Sequence, residues 1–171
     1  MIAMKSEVNL LLSVSIAAGS LVMLGGCGTV QVAGDYSTEF AGTYNVRERS
    51  TEELLPIDSV HLATDPTGSA LITFETSAGR GTRSAKCHST YGKWFRAIHD
   101  NPDESFRGYD CWDNYGALWQ FVHAEPGSRT TMPLLNRISR HDVTTQSGYL
   151  LFVGLRGIPG LKYALDPEPR R

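Results

Sequence analysis

DSVHLATDPTGSALITFET, residues 58–76, consists of two alternating runs on either side of a turn. In the first run Val60 and Leu62 point one way, and Ser59, His61 and Ala63 the other. In the second, Ala70, Ile72 and Phe74 are opposed by Leu71, Thr73 and Glu75. A repeat of two is the mark of a half-buried strand, because successive side chains leave the backbone on opposite faces. Asp65-Pro66-Thr67-Gly68 lies between the runs, with a proline placed to preset the backbone angle of a turn. The segment is predicted to be a β-hairpin.

The same pattern extends outward. KWFRAIH (93–99) and ALWQFVHA (117–124) are further strand candidates, rich in aromatic and β-branched residues. GYLLFVGL (148–155) is apolar on both faces, which predicts a strand covered on both sides. NPDESFRG, EPGS and GIPG are turn-rich connections. Helix signals are weaker. Ser50 and Glu53 have the spacing of a capping box, but Pro56 would end that helix within a turn or two. In TMPLLNRISRH (131–141), Pro133 stands near a possible helix start, with Leu134, Leu135 and Ile138 at helical spacing. Short strands separated by turns predict a mainly β protein, an antiparallel β-sandwich or small barrel with one or two short helices.

The N-terminal residues have a different character. Lys5 and Glu7 precede an uncharged apolar run from Leu10 to Leu24. A membrane-crossing helix needs about 20 apolar residues, so this run is short for that and has the layout of a secretory signal. Met4 is an alternative start. The run ends in Leu24-Gly25-Gly26-Cys27, an aliphatic residue, two small residues and a cysteine. This resembles the lipobox of bacterial lipoproteins. The resemblance implies a diacylglycerol on the Cys27 thiol, cleavage just before Cys27 and acylation of the new amine. It extends over residues 1–27 and is silent on the fold beyond them. Each buried methylene contributes about 0.8 kcal/mol and one chain holds only marginally, so two or three acyl chains anchor such a protein without its spanning the bilayer. Gly28 replaces the aspartate that, in Gram-negative lipoproteins, favours inner-membrane retention. The expected location is therefore the outer membrane, facing the periplasm; in a Gram-positive cell it is the outer face of the only membrane.

Four segments follow: a signal peptide over 1–26, a lipidated cysteine and flexible tether over 27–41, one β-rich domain over 42–165, and a disordered tail, DPEPRR, over 166–171. With Cys27 assigned to lipid, Cys87 and Cys111 remain as an even pair in an oxidising compartment, and a disulfide is expected. The alternatives are a metal site drawing on His88, Asp110 and Asp113, or a reactive thiol; no CxxC or HxxxH spacing supports zinc.

Sixteen basic residues against eighteen acidic ones give a formal net charge of −2, and no basic stripe suggests nucleic acid as a partner. The chain contains no GxSxG, SxxK or HExxH and no phosphate-binding glycine loop. His99-Asp100 and His141-Asp142 are adjacent, but neighbours on a strand face opposite sides. SAGRGTRS (77–84) reads as a flexible hairpin loop carrying Arg80 and Arg83, with anion contact as an alternative role. YDCWDNYGALWQFVH (109–123) is the richest segment. Trp119 and Phe121 are expected in the core, whereas Trp112, Asp113 and Tyr115 lie in a turn-like context and are the candidates for recognition. The expected function is a non-enzymatic binding or accessory module for an envelope protein or cell-wall partner, needing no cofactor or metal. One alternative is a hydrolase with His88 or His123 beside a carboxylate. Another is an apolar-ligand carrier with a pocket lined by Ile72, Phe74, Leu150 and Phe152.

Overall fold

The computed structural model describes residues 34–51, 54–92, 106–130, 142–155 and 158–169. A single helical turn, α1 (Ser37–Phe40), precedes eight strands: β1 (Gly42–Arg49), β2 (Ile57–Thr64), β3 (Ser69–Thr76), β4 (Gly79–Gly92), β5 (Phe106–Asp113), β6 (Leu118–His123), β7 (Tyr149–Leu155) and β8 (Ile158–Pro167). Each strand is antiparallel to its neighbours in sequence, and β8 returns to β1, so the sheet closes into a barrel. Closure leaves the sheet without a free lateral edge for another chain to extend.

The hairpin forms where the alternation predicts it. Val60 pairs with Phe74, Leu62 with Ile72 and Thr64 with Ala70. Val60, Leu62, Ile72 and Phe74 point into the barrel, and the first three are fully buried. Asp65 makes the turn: its Oδ1 accepts the N–H groups of Thr67 at 2.8 Å and Ser69 at 3.0 Å. Gly68 holds φ at +75°, and a Cβ there would lie 2.8 Å from the Cys87 carbonyl oxygen, so no other residue fits.

An eight-stranded barrel has an interior just wide enough to be filled by side chains. Tyr44, Tyr109, Trp119, Phe121, Leu151, Val153, Leu161 and Tyr163 fill this one. The Phe74 ring lies 5.3 Å from Trp119 and covers Gly81, where a Cβ would come within 2.2 Å of it. At one mouth α1 inserts Phe40 between Tyr109 and Tyr149, with ring centroids 6.2 Å and 6.1 Å away. The four residues proposed for a ligand pocket do not share a face. Ile72 and Phe74 face inward, but Leu150 and Phe152 belong to a second cluster with Phe106, Val122, Val143 and Ala164. That cluster covers the outer face of β6–β8, where the Ser128–Thr130 and Val143–Thr145 segments hydrogen-bond to each other. β7 is therefore apolar on both faces because both faces are covered. Lys162 is also buried on this side, where its Nζ lies 3.5 Å from Asp142 Oδ1. Burial holds this amine below the usual lysine range, against the pull of Asp142.

The segment boundaries differ from expectation. The domain begins before residue 42: the Tyr36 N–H donates to Ser89 Oγ at 2.8 Å and Phe40 is buried, so residues 36–41, expected in the tether, belong to the domain. Asp166 and Pro167 belong to β8 instead of a tail: Arg47 grips Asp166 at 2.6 Å and the Glu168 N–H reaches the Thr43 carbonyl. Ser50 Oγ accepts the Lys162 N–H at 3.0 Å, at the β1–β8 seam. The loop expected over 77–84 is only a tight turn at Ser77-Ala78, with Arg80 and Arg83 in β4. The 93–99 strand, the 131–141 helix, Glu53 and the lipobox lie outside the described residues.

Candidate functional site

The aromatic segment singled out by sequence folds into the end of β5, a tight turn and the start of β6. Cys87 and Cys111 face each other in register and are joined by a disulfide, which removes the metal and free-thiol alternatives for this pair. The bond fixes β5 to β4 two residues before the turn begins.

Asp113 organises the turn. Its Oδ1 accepts the N–H groups of Tyr115 at 2.9 Å and Ala117 at 2.8 Å, and its Oδ2 accepts the indole N–H of Trp119 at 3.0 Å. The side chain is 1% exposed. Asp113, expected from the sequence to take part in recognition, is instead buried; it shapes the loop and satisfies the one polar atom of the core tryptophan's side chain.

Arg83 faces inward at the open mouth of the barrel, since it pairs with Ile72. Its guanidinium carbon sits 5.4 Å from the Phe74 centroid and 4.9 Å from the Tyr115 centroid. Arg83 Nε is 3.8 Å from Asp113 Oδ2. A cation stacked between two rings with a carboxylate behind it is held at an orientation that a free arginine would not keep. Tyr115, at 70% exposure, forms the outer face of this stack. Arg80 does not join it. It pairs with Glu75 at 2.6 Å on the exposed side of the hairpin, an ion pair of little energetic weight in water.

Trp112 points away from the mouth. It lies on the outer wall, 51% exposed, opposite Lys86 in the β4–β5 register. With Ala63, Leu71, Ser84, Lys86 and Asn114 it lines a shallow open groove across β2–β5, in which Leu71 is 45% exposed. Two large aromatic side chains three positions apart thus face different directions. No family model, curated protein or solved structure matches this chain. The site is described by its own chemistry.

The sequence anticipated one cluster only in part, naming His123 but neither Glu39 nor Arg107. His123 Nδ1 lies 2.6 Å from Glu39 Oε1 and 2.7 Å from Arg107 Nη2, and Arg107 also reaches Glu39 at 3.0 Å. The His123 ring stacks on Tyr149 at 4.3 Å. Nδ1 cannot both donate to Glu39 and accept from Arg107, so the arrangement is satisfied when His123 and Arg107 both donate to the carboxylate. It pins α1 to the barrel. Among the described residues no hydroxyl or thiol is hydrogen-bonded to His123, as a nucleophile would be. The sequence reading named His123 beside a carboxylate as the mark of a hydrolase, and that contact is present; it did not name the carboxylate, because Glu39 fell within the segment read as tether. His88 is exposed and faces Asp110 across the β4–β5 register.

Asp110 is buried on the outer face, where its Oδ1 accepts Gln120 Nε2 at 2.7 Å. Burial holds its carboxyl above the usual range, opposed by the Gln120 hydrogen bond and the His88 charge. The folded state therefore takes up this proton before the unfolded chain does. Its contribution is favourable below the unfolded value, near pH 4, and is lost as pH rises through the folded value. Asp110→Asn keeps an acceptor for Gln120 and removes the charge. It is expected to raise the melting temperature relative to wild type near neutral pH and to make little difference at about pH 4. Thermal denaturation at the two pH values checks this.

Proposed function

We propose that this protein is a lipid-anchored module of the bacterial cell envelope, held by Cys27 to the outer membrane and facing the periplasm. It presents the Tyr115–Arg83 surface to an envelope protein or cell-wall component and has a binding or accessory role without catalysis. The observation that carries this reading is an exposed aromatic ring stacked on a fixed arginine, on a turn that Asp113 holds from within and the disulfide braces from behind. Such a surface loses little conformational freedom on binding, and tyrosine beside arginine is a frequent composition of interface hot spots. The disulfide supports export to an oxidising compartment. The lipobox resemblance supports the anchor.

Two experiments test this reading. Cys27→Ser is expected to leave an unprocessed precursor that no longer fractionates with outer membranes; wild-type fractionation would end the anchor reading. The mature protein, crosslinked in the envelope, is expected to yield a defined partner that Tyr115→Ala loses without a change in melting temperature. A partner retained in full by Tyr115→Ala would move the recognition surface elsewhere.

A further inference from the structure

We infer that the Trp112–Leu71 groove rests on the lipid surface. This inference relies on the Cys27 anchor proposed above. It begins with the point where the described chain starts. Only Gly28 to Gly34 separate Cys27 from Asp35, and eight peptide steps span at most about 28 Å even when fully extended. The barrel therefore remains within that distance of the bilayer. The chain enters the fold at the mouth next to the groove: the Ser37 carbonyl accepts, at 3.5 Å, the hydroxyl of Thr64, which follows Leu62 on the inward face of β2 and stands at the rim of the groove. A tether this short, arriving at this rim, keeps the groove wall within reach of the headgroups.

The chemistry of the wall suits that position. Trp112 and Leu71 are large apolar side chains left about half exposed on the outer wall of β3–β5, beside Ser84 and Lys86. Lys86 stands directly opposite Trp112 in register, and its Nζ reaches Ser69 Oγ at 2.5 Å along the same face. Tryptophan is enriched at the headgroup level of bilayers, because its ring is apolar and its N–H polar. A neighbouring lysine extends its charge toward phosphate while its methylenes cover apolar surface. Leucine beside them adds buried apolar area. The seating also accounts for the divergence of the two aromatics: Trp112 addresses lipid from the outer wall, and Tyr115 stays at the mouth for a partner.

The test uses the mature lipidated protein in phosphatidylethanolamine–phosphatidylglycerol vesicles, with ordinary or brominated acyl chains. Bromine quenches tryptophan emission only at close approach. Trp119 is buried in the barrel, so the comparison lies between Trp112 and Trp94. Brominated vesicles are expected to quench the wild-type emission. Most of that quenching should disappear in Trp112→Phe and persist in Trp94→Phe. Leu71→Asp, on an exposed position, should reduce the quenching while leaving the melting temperature unchanged. Equal emission in the two kinds of vesicle, or full quenching in Trp112→Phe, would overturn the seating. So would a Trp112 whose emission responds to added envelope extract and not to bromine, which would assign the groove to a protein or glycan. Intact mass separates the two failures. A chain without acyl groups removes the anchor and the seating together; an acylated chain that is not quenched removes the seating alone.

Discussion

Asp113→Ala is expected to lower folding stability by about 3–5 kcal/mol, the loss typical when a buried charged partner is removed from its hydrogen bonds. Three donors lose their acceptor at once: the backbone N–H groups of Tyr115 and Ala117 and the indole N–H of Trp119. The backbone groups can find water as the turn loosens. The indole cannot, because Trp119 is buried in the barrel against Phe74. Asp113→Asn should lie between wild type and alanine. It can keep the two backbone bonds through its oxygen, but it then turns an NH2 group toward the indole N–H. Trp119→Phe removes that second donor, so the Asn and Phe substitutions together should cost less than the sum of the two alone. Denaturant unfolding of the four proteins is the measurement. Strict additivity would mean that the Asp113–Trp119 bond carries no coupling.

Removing the disulfide by Cys87→Ala with Cys111→Ala should cost about 3.5 kcal/mol, the chain-entropy value for a closed loop of this length. For a domain of this size that is a fall of roughly 10 °C in melting temperature. The two cysteines are 24 residues apart in sequence and directly opposite across β4 and β5. The register already places them together in the folded state, so the bond acts mainly on the unfolded chain. Reducing the wild-type protein should produce a similar shift. A change below about 1 kcal/mol would show that the reduced chain already keeps the β4–β5 hairpin when unfolded.

The hairpin over residues 58–76 was legible because its alternation, turn residues and register agree. The doubly covered strand at 148–155 was also legible, since apolar residues on both faces require two covers. Arg83 shows where reading failed. A side chain on a strand faces in or out according to register, and one residue of slip reverses it. GRGTRS alone gives no register, so Arg83 looked like a loop charge when it is an inward cation held by two rings. Asp113 failed for a related reason. An aspartate in a turn beside aromatics has the composition of a binding surface and of a turn organiser alike, and only the position of the Trp119 indole separates the two. Leu150 and Phe152 were assigned to the interior because a strand buried on both sides offers no polar residue to mark its outer face. Phe40 and Glu39 were lost because a four-residue helix has too little period to stand out from a tether.

The seam that closes the barrel has a consequence for the order of events in the life of the chain. It joins the first strand to the last, and Arg47 meets Asp166 across a sequence separation of 119. A chain delivered N-terminus first, from a ribosome or through a membrane pore, can zip each hairpin as it emerges but cannot complete the cylinder until its final strand is free. Until then β1 carries an unpaired edge, ready to pair with a neighbouring molecule. The arrival of β8 decides whether the nascent barrel becomes a closed monomer or an aggregate.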